Sequence, residues 1–165
     1  MLTVTVPDVD ALDRLSDLSD RVEFVLWDLF TPLPPSVAAS VDVVAIPHYC
    51  VQVERWHQLA ALPNLKYVML PSAGYEHALP WIADGVTLSN GRGVHSAATA
   101  ELAVGLVLAS QRGLADAIAA QAEGRWSAPR LSSLADRRVV VVGAGSLANA
   151  IVDRLRPFEV TITQV

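Results

Sequence analysis

Six consecutive residues, Gly143-Ala144-Gly145-Ser146-Leu147-Ala148, fit the pattern G-x-G-x-x-G/A. The chemistry such a run offers is phosphate binding. The first glycine permits a tight turn, and the second removes a side chain where a pyrophosphate must approach the backbone. A helix opening at that point adds unsatisfied N–H groups and the positive end of its dipole. Ala148 takes the third place, a permitted substitute that loosens helix–strand packing slightly. The pattern alone is equally the description of a plain strand-to-helix turn, so its context carries the weight. The apolar run Arg138-Val139-Val140-Val141-Val142 directly before it suits a central parallel strand. A helix-like stretch follows over 147–155 and another strand over 160–162, which is the setting a dinucleotide loop requires.

A second run, Pro71-Ser72-Ala73-Gly74-Tyr75-Glu76, follows the expected strand 67–70. In a parallel sheet that end is the carboxyl edge, where ligands bind. Small residues there allow backbone N–H groups to face an anion such as a carboxylate. An ordinary turn between strand and helix is an equal reading of the same residues. A third run, Ser89-Asn90-Gly91-Arg92-Gly93-Val94-His95, is rich in glycine and precedes a long apolar helical stretch, as a hinge between two domains should. A plain loop would look no different.

The elements that must position these runs are legible in outline. Short β-branched segments recur over 2–6, 22–27, 43–46, 67–70 and 86–88, with helically spaced apolar residues between them, among them Leu12, Leu15 and Leu18, then Val53, Trp56 and Leu59. Alternation of this kind implies βαβ units and a parallel sheet. Residues 97–123 read as one long helix, apolar on nearly all sides in its first part and therefore packed on more than one face. Gly124, Pro129 and Ser132-Ser133 form a linker, with Trp126 expected to anchor it.

Composition narrows the function classes. The 165 residues carry 12 Lys+Arg and 17 Asp+Glu, a net charge of −5, with no basic stripe, which argues against binding a phosphate backbone. Hydrophobic residues reach 52% and charged ones only 18%. That excess fits a buried parallel sheet or a surface meant to be covered. The longest apolar run, 102–109, is far shorter than a bilayer span. Without a basic, apolar leader and with Cys50 alone, the chain reads as cytoplasmic. Other chemistry has little support. His48, His57, His77 and His95 lack metal-ligand spacing. Cys50 near His48 has no third orienting group to make it a nucleophile. Lys66, the only lysine, stands where a strand begins, and no G-x-S-x-G elbow is present.

Taken together and in order, these runs resemble the D-isomer-specific 2-hydroxyacid dehydrogenases. The resemblance is carried by Ser72-Ala73-Gly74-Tyr75-Glu76, by residues 85–95, by Thr99-Ala100-Glu101-Leu102-Ala103, by Gln111-Arg112-Gly113-Leu114, by Gly124-Arg125-Trp126, by residues 133–138 and by the glycine loop. It covers nearly the whole chain. It implies an α/β protein: a flavodoxin-like parallel-sheet substrate domain over residues 1–95, then a long helix and an incomplete Rossmann βαβ unit over 96–165. It also implies hydride transfer between a nicotinamide cofactor, NAD or NADP, and a small 2-oxo or 2-hydroxy acid.

By position, Ser72, Ala73 and Gly74 would hold the substrate carboxylate. Thr99 would lie near the nicotinamide, and Gly143, Gly145, Ser146, Leu147 and Ala148 would cradle the pyrophosphate. The long helix would join the family's dimer contact. The family's catalytic arginine, its acidic partner and its acid/base histidine have no counterpart among these residues, and His95 does not match that histidine. No catalytic residue is therefore assigned, and the expectation is a chain inactive by itself. A non-catalytic small-acid-binding or dimerising module, and one half of a split dehydrogenase, are the alternatives. The expected partners are a homodimer mate or a complementing C-terminal half.

Overall fold

The structure is a computed structural model that describes residues 1–48 and 52–165. Cys50 therefore lies outside the described residues. The chain divides into two compact units, Met1–Arg92 and Gly93–Val165.

The first unit is a five-stranded sheet flanked by short helices. Its strands are β1 (Leu2–Val6), β2 (Val22–Leu26), β3 (Val43–Ala45), β4 (Tyr67–Met69) and β5 (Thr87–Ser89), in the order β2-β1-β3-β4-β5, every pair parallel. That is the flavodoxin-like order, with its topological switch between β1 and β3. The strands occupy the β-branched runs, where branched side chains fill a pleated surface well. β1 matches the sequence pattern and the other four differ from it by a residue, although Ile46 and Leu70 still donate N–H bonds to Met69 and Ser89 across the sheet, at 2.9 and 2.8 Å.

Helix α1 (Val9–Arg14) begins at Asp8, whose carboxylate accepts from Ala11 N–H at 2.8 Å, a side-chain cap on the first turn. Helix α2 (Pro35–Ala38) starts with proline in its first turn, where the missing N–H costs nothing. The segment with Leu59 and Trp56 forms a 3₁₀ helix, Val53–Ala61. Trp27, Leu29, Val41, Val44, Trp56, Leu59, Val68 and Leu70 make the core, with Leu29, Val41, Val44 and Val68 fully buried. Each such side chain contributes on the order of 1.5–3 kcal/mol through burial.

At the amino edge of the sheet, Asp42 ties three strands. Its carboxylate accepts from Thr3 N–H at 3.0 Å and from the Lys66 ammonium at 2.7 Å. Lys66 is thus a structural partner. The ammonium and the Thr3 N–H together hold the Asp42 carboxyl below the usual carboxylate range.

The second unit contains α3 (Ser96–Gln111), α4 (Leu114–Ala122), β6 (Arg138–Val141), α5 (Ser146–Leu155) and β7 (Thr161–Gln164). Strands β6 and β7 pair in parallel, and Val104, Leu134, Val141, Ala148, Val152 and Leu155 form a separate small core.

Three expectations change here. The single helix over 97–123 is two helices, bent by 64°. Gly113 between them adopts the left-handed conformation at φ +59°, which ends an α-helix and which glycine reaches without a side-chain penalty. The first helix does not bury several faces in this chain: Ala100 and Val104 are buried, while Leu102 and Leu106 are more than 60% exposed. Trp126 does not anchor the linker, being 92% exposed. Among the described residues no single helix is long and apolar enough to cross a membrane.

Candidate functional site

The loop after β4 is built so that its carbonyls are all occupied. Gly91 N–H donates to Ser72 O at 2.8 Å, Asn90 Nδ2 donates to Ala73 O at 2.7 Å, and Ser72 Oγ donates to Gly74 O at 2.7 Å. The carboxylate of Glu76 takes the Tyr75 N–H at 3.0 Å. Glu76's own N–H and that of Tyr75 lower its pKa below the ordinary carboxylate value. The N–H groups of Ser72, Ala73 and Gly74 have no hydrogen-bond acceptor among the described residues. Backbone N–H groups beside carbonyls that are already used make a segment electropositive at short range, which suits a small anion.

Residues 89–92 serve this loop directly. A Cβ placed on Gly91 would stand 2.2 Å from Pro71 O, so only glycine permits the approach that lets Gly91 N–H reach Ser72. Asn90 and Gly91 were read in the sequence as hinge residues, and their role as braces of the 72–74 loop was missed. An Asn-Gly pair at the end of the neighbouring strand was the available signal. Beside this loop, Tyr75, Leu79, Leu88, Ser89 and Asn90 line an open cavity of about 470 Å³. Thr99 lies exposed on the first turn of α3, its N–H donating to His95 O at 3.0 Å.

The glycine loop lies in the second unit, between β6 and α5. Gly143 has φ +124°, a conformation L side chains rarely adopt, and a Cβ there would meet the Cβ of Ala148 at 3.7 Å. The alanine in third place therefore packs against the first glycine at ordinary contact distance. Nothing lies within 4 Å of a Cβ built on Gly145, so the space over the second glycine is open.

Helix α5 has no side-chain cap at Gly145, and its first intrahelical bond runs from Asn149 N–H to Gly145 O at 3.1 Å. The N–H groups of Ser146, Leu147 and Ala148 consequently lack acceptors within the helix. Ser146 Oγ lies 3.2 Å from Ser96 Oγ at the start of α3. An open second glycine, an uncapped helix start and free N–H groups fit a pyrophosphate.

A sequence profile of the family described as "D-isomer specific 2-hydroxyacid dehydrogenase, NAD binding domain" matches residues 104–165, the stretch that contains this loop. The human glyoxylate reductase/hydroxypyruvate reductase is 35% identical over 160 residues, covering 91% of this chain and 48% of that protein. Together these matches support the D-isomer-specific 2-hydroxyacid dehydrogenase family.

The mouse protein of the same name is 39% identical over 108 residues, which is 61% of this chain and 33% of the relative. The chain thus spans between a third and a half of the length of these relatives. In structure, a D-isomer-specific 2-hydroxyacid dehydrogenase family protein from Aeromonas salmonicida superposes with a TM-score of 0.82 at 18% identity, over 99% of this chain and 53% of that one. That likeness concerns the fold, the parallel α/β architecture expected from the sequence.

Two of the histidines make local contacts. His57 Nδ1 lies 2.6 Å from Glu54 O, and the His77 ring lies 5.4 Å from that of Trp56.

Proposed function

We propose that this chain is the acid-binding and dinucleotide-loop portion of an NAD(P)-dependent oxidoreductase that interconverts a small 2-oxo acid and its D-2-hydroxy acid. The observation that carries this is the uncapped start of α5 at an open Gly145, within the stretch matched by the family's NAD-binding profile. Residues Gly143, Gly145, Ser146, Leu147 and Ala148 hold the pyrophosphate through backbone N–H groups, and Thr99 lies toward the nicotinamide end. When bound, the nicotinamide supplies or accepts the hydride.

Ser72, Ala73 and Gly74 take the acid's carboxylate through their backbone N–H groups, and Asn90, Gly91 and the Ser72 hydroxyl keep the competing carbonyls turned away. The names of the human and mouse relatives point to glyoxylate and hydroxypyruvate as the acids to try first. The domain division follows residues 1–95 for the acid and 96–165 for the dinucleotide. The 165 residues by themselves bind both ligands without turnover, because no arginine, acid and histidine among them match the family's catalytic set. They gain activity with a complementing segment that carries the missing set, and the chain itself pairs as a homodimer. Cytoplasmic placement goes with this reading.

The test follows nicotinamide fluorescence and absorbance when the 165-residue protein is mixed with NADH or NADPH and then with glyoxylate or hydroxypyruvate. The expected result is a saturable fluorescence change without loss of reduced cofactor. Consumption of cofactor at an enzyme-like rate overturns the assignment of an inactive portion. Absence of any binding overturns the dinucleotide assignment.

A further inference from the structure

The first glycine of the loop is held on both its N–H and its C=O by Gln164 and Val165, at the end of β7. Gly143 N–H donates to Val165 O at 2.6 Å, and Val165 N–H donates to Val141 O at 3.0 Å. On the other side of the same residue, Gln164 Nε2 donates to Gly143 O at 3.0 Å and to Asn149 Oδ1 at 2.9 Å. A carbonyl oxygen only accepts, so the Gln164 amide must present its NH2 group, and both of its hydrogens are used. One side chain thereby joins the first glycine of the loop to the first turn of α5.

We propose that Gln164 is a positioning residue for the dinucleotide, which sets the direction of the Ala144 N–H by locking the Gly143 carbonyl. The peptide between Gly143 and Ala144 is trans and planar, so its C=O and N–H point in opposite directions. Turning the Gly143 oxygen toward Gln164 turns the Ala144 N–H the other way, off the β7 side. Glycine at φ +124° is free to rotate this peptide, so the turn does not fix it alone. Asn149 completes the arrangement, since its Oδ1 holds the second amide hydrogen and keeps the Gln164 side chain in one rotamer. Gln164 acts at a distance from any ligand group, by preventing the Gly143 oxygen from swinging into the space a phosphate would occupy. The inference rests on the dinucleotide reading of residues 143–148.

The test uses the full 165-residue protein and ADP-ribose as the probe, titrated calorimetrically between pH 4.5 and pH 8. In Gln164→Glu the ionised carboxylate would face the Gly143 oxygen and repel it. Protonation restores one donor. The expected result is affinity about tenfold weaker than wild type at pH 8, equivalent to losing one or two hydrogen bonds. Affinity should recover in part toward wild type at pH 4.5, near the ordinary glutamate pKa of about 4.3, while wild type changes little across the range. Gln164→Met, neutral and of similar length, should be weaker by a similar factor at every pH, which covers the case of a Glu variant that folds poorly. Variants that bind like wild type, or a Glu variant equally weak at both ends of the range, overturn the inference. Failure of the wild-type chain to bind ADP-ribose overturns the dinucleotide reading itself and the inference with it.

Discussion

A Cβ on Gly91 would lie 2.2 Å from the carbonyl oxygen of Pro71. Two loops at the ends of β4 and β5 approach so closely that one of them cannot carry a side chain. That contact allows Gly91 N–H to hold Ser72 O, the first of three carbonyls tied back in the 72–74 loop.

Gly91→Ala should therefore separate the loops. The obstructing atom belongs to backbone, which cannot rotate aside as a side chain could. A loss of about 2–3 kcal/mol in unfolding free energy is expected, at the upper end of overpacking costs. Denaturant titration measures it, and a variant as stable as wild type would show that the loops part without cost.

Asn90→Asp should weaken acid binding more than it weakens the fold. The amide that donates to Ala73 O at 2.7 Å becomes a carboxylate that repels both that oxygen and an incoming anion. Affinity for glyoxylate, read by calorimetry at pH 7.5, should fall at least about tenfold, given about 1.5–3 kcal/mol for a hydrogen bond involving a charged group. Unchanged affinity would remove the 72–74 loop as the acid site.

Asp42 gives a pH dependence with a definite sign. Its folded-state pKa lies below the ordinary value of about 3.9, held down first by the Lys66 hydrogen bond and then by Thr3 N–H. The stabilising contribution is fully present above about pH 4 and is lost as pH falls through the lowered value. Asp42→Asn should flatten that acid limb of the stability curve and lower stability at pH 7. Thermal unfolding between pH 2.5 and pH 7 checks it, and an unchanged acid limb would count against the assignment.

The fold was legible because its signals are local. β-branched runs at regular intervals, broken by Asp8, Pro35 and Pro63, specify strands joined by short helices, and β2-β1-β3-β4-β5 is one of few orders such units adopt. The glycine loop was legible because its three constrained positions are adjacent in sequence. What the sequence hid depends on contacts between distant residues. Asn90 and Gly91 serve a loop some seventeen residues earlier, a relation only the β4–β5 pairing creates. Gln164 reaches Gly143 because β6 and β7 are neighbours. The break at Gly113 was hidden for another reason: an isolated glycine within an apolar helical stretch does not reveal whether it stays helical or turns left-handed.

Gly113→Ala tests that break. At φ +59° an added Cβ is strained, and it would stand 2.9 Å from a methyl of Leu131, a flexible side chain that can shift. A loss of about 1–2 kcal/mol is expected, mostly from the backbone. A variant more stable than wild type would indicate that α3 and α4 prefer to join.

The most direct test of the central claim, that residues 143–148 hold a dinucleotide, is calorimetric titration of the 165-residue protein with NADH, beside its Gly145→Glu variant. The open space over Gly145 would then carry a side chain and a negative charge where the pyrophosphate must approach. Saturable binding by wild type, and a loss of at least about a hundredfold in the variant at equal thermal stability, is the predicted result. Equal affinities, or no binding by wild type at millimolar NADH, would contradict it.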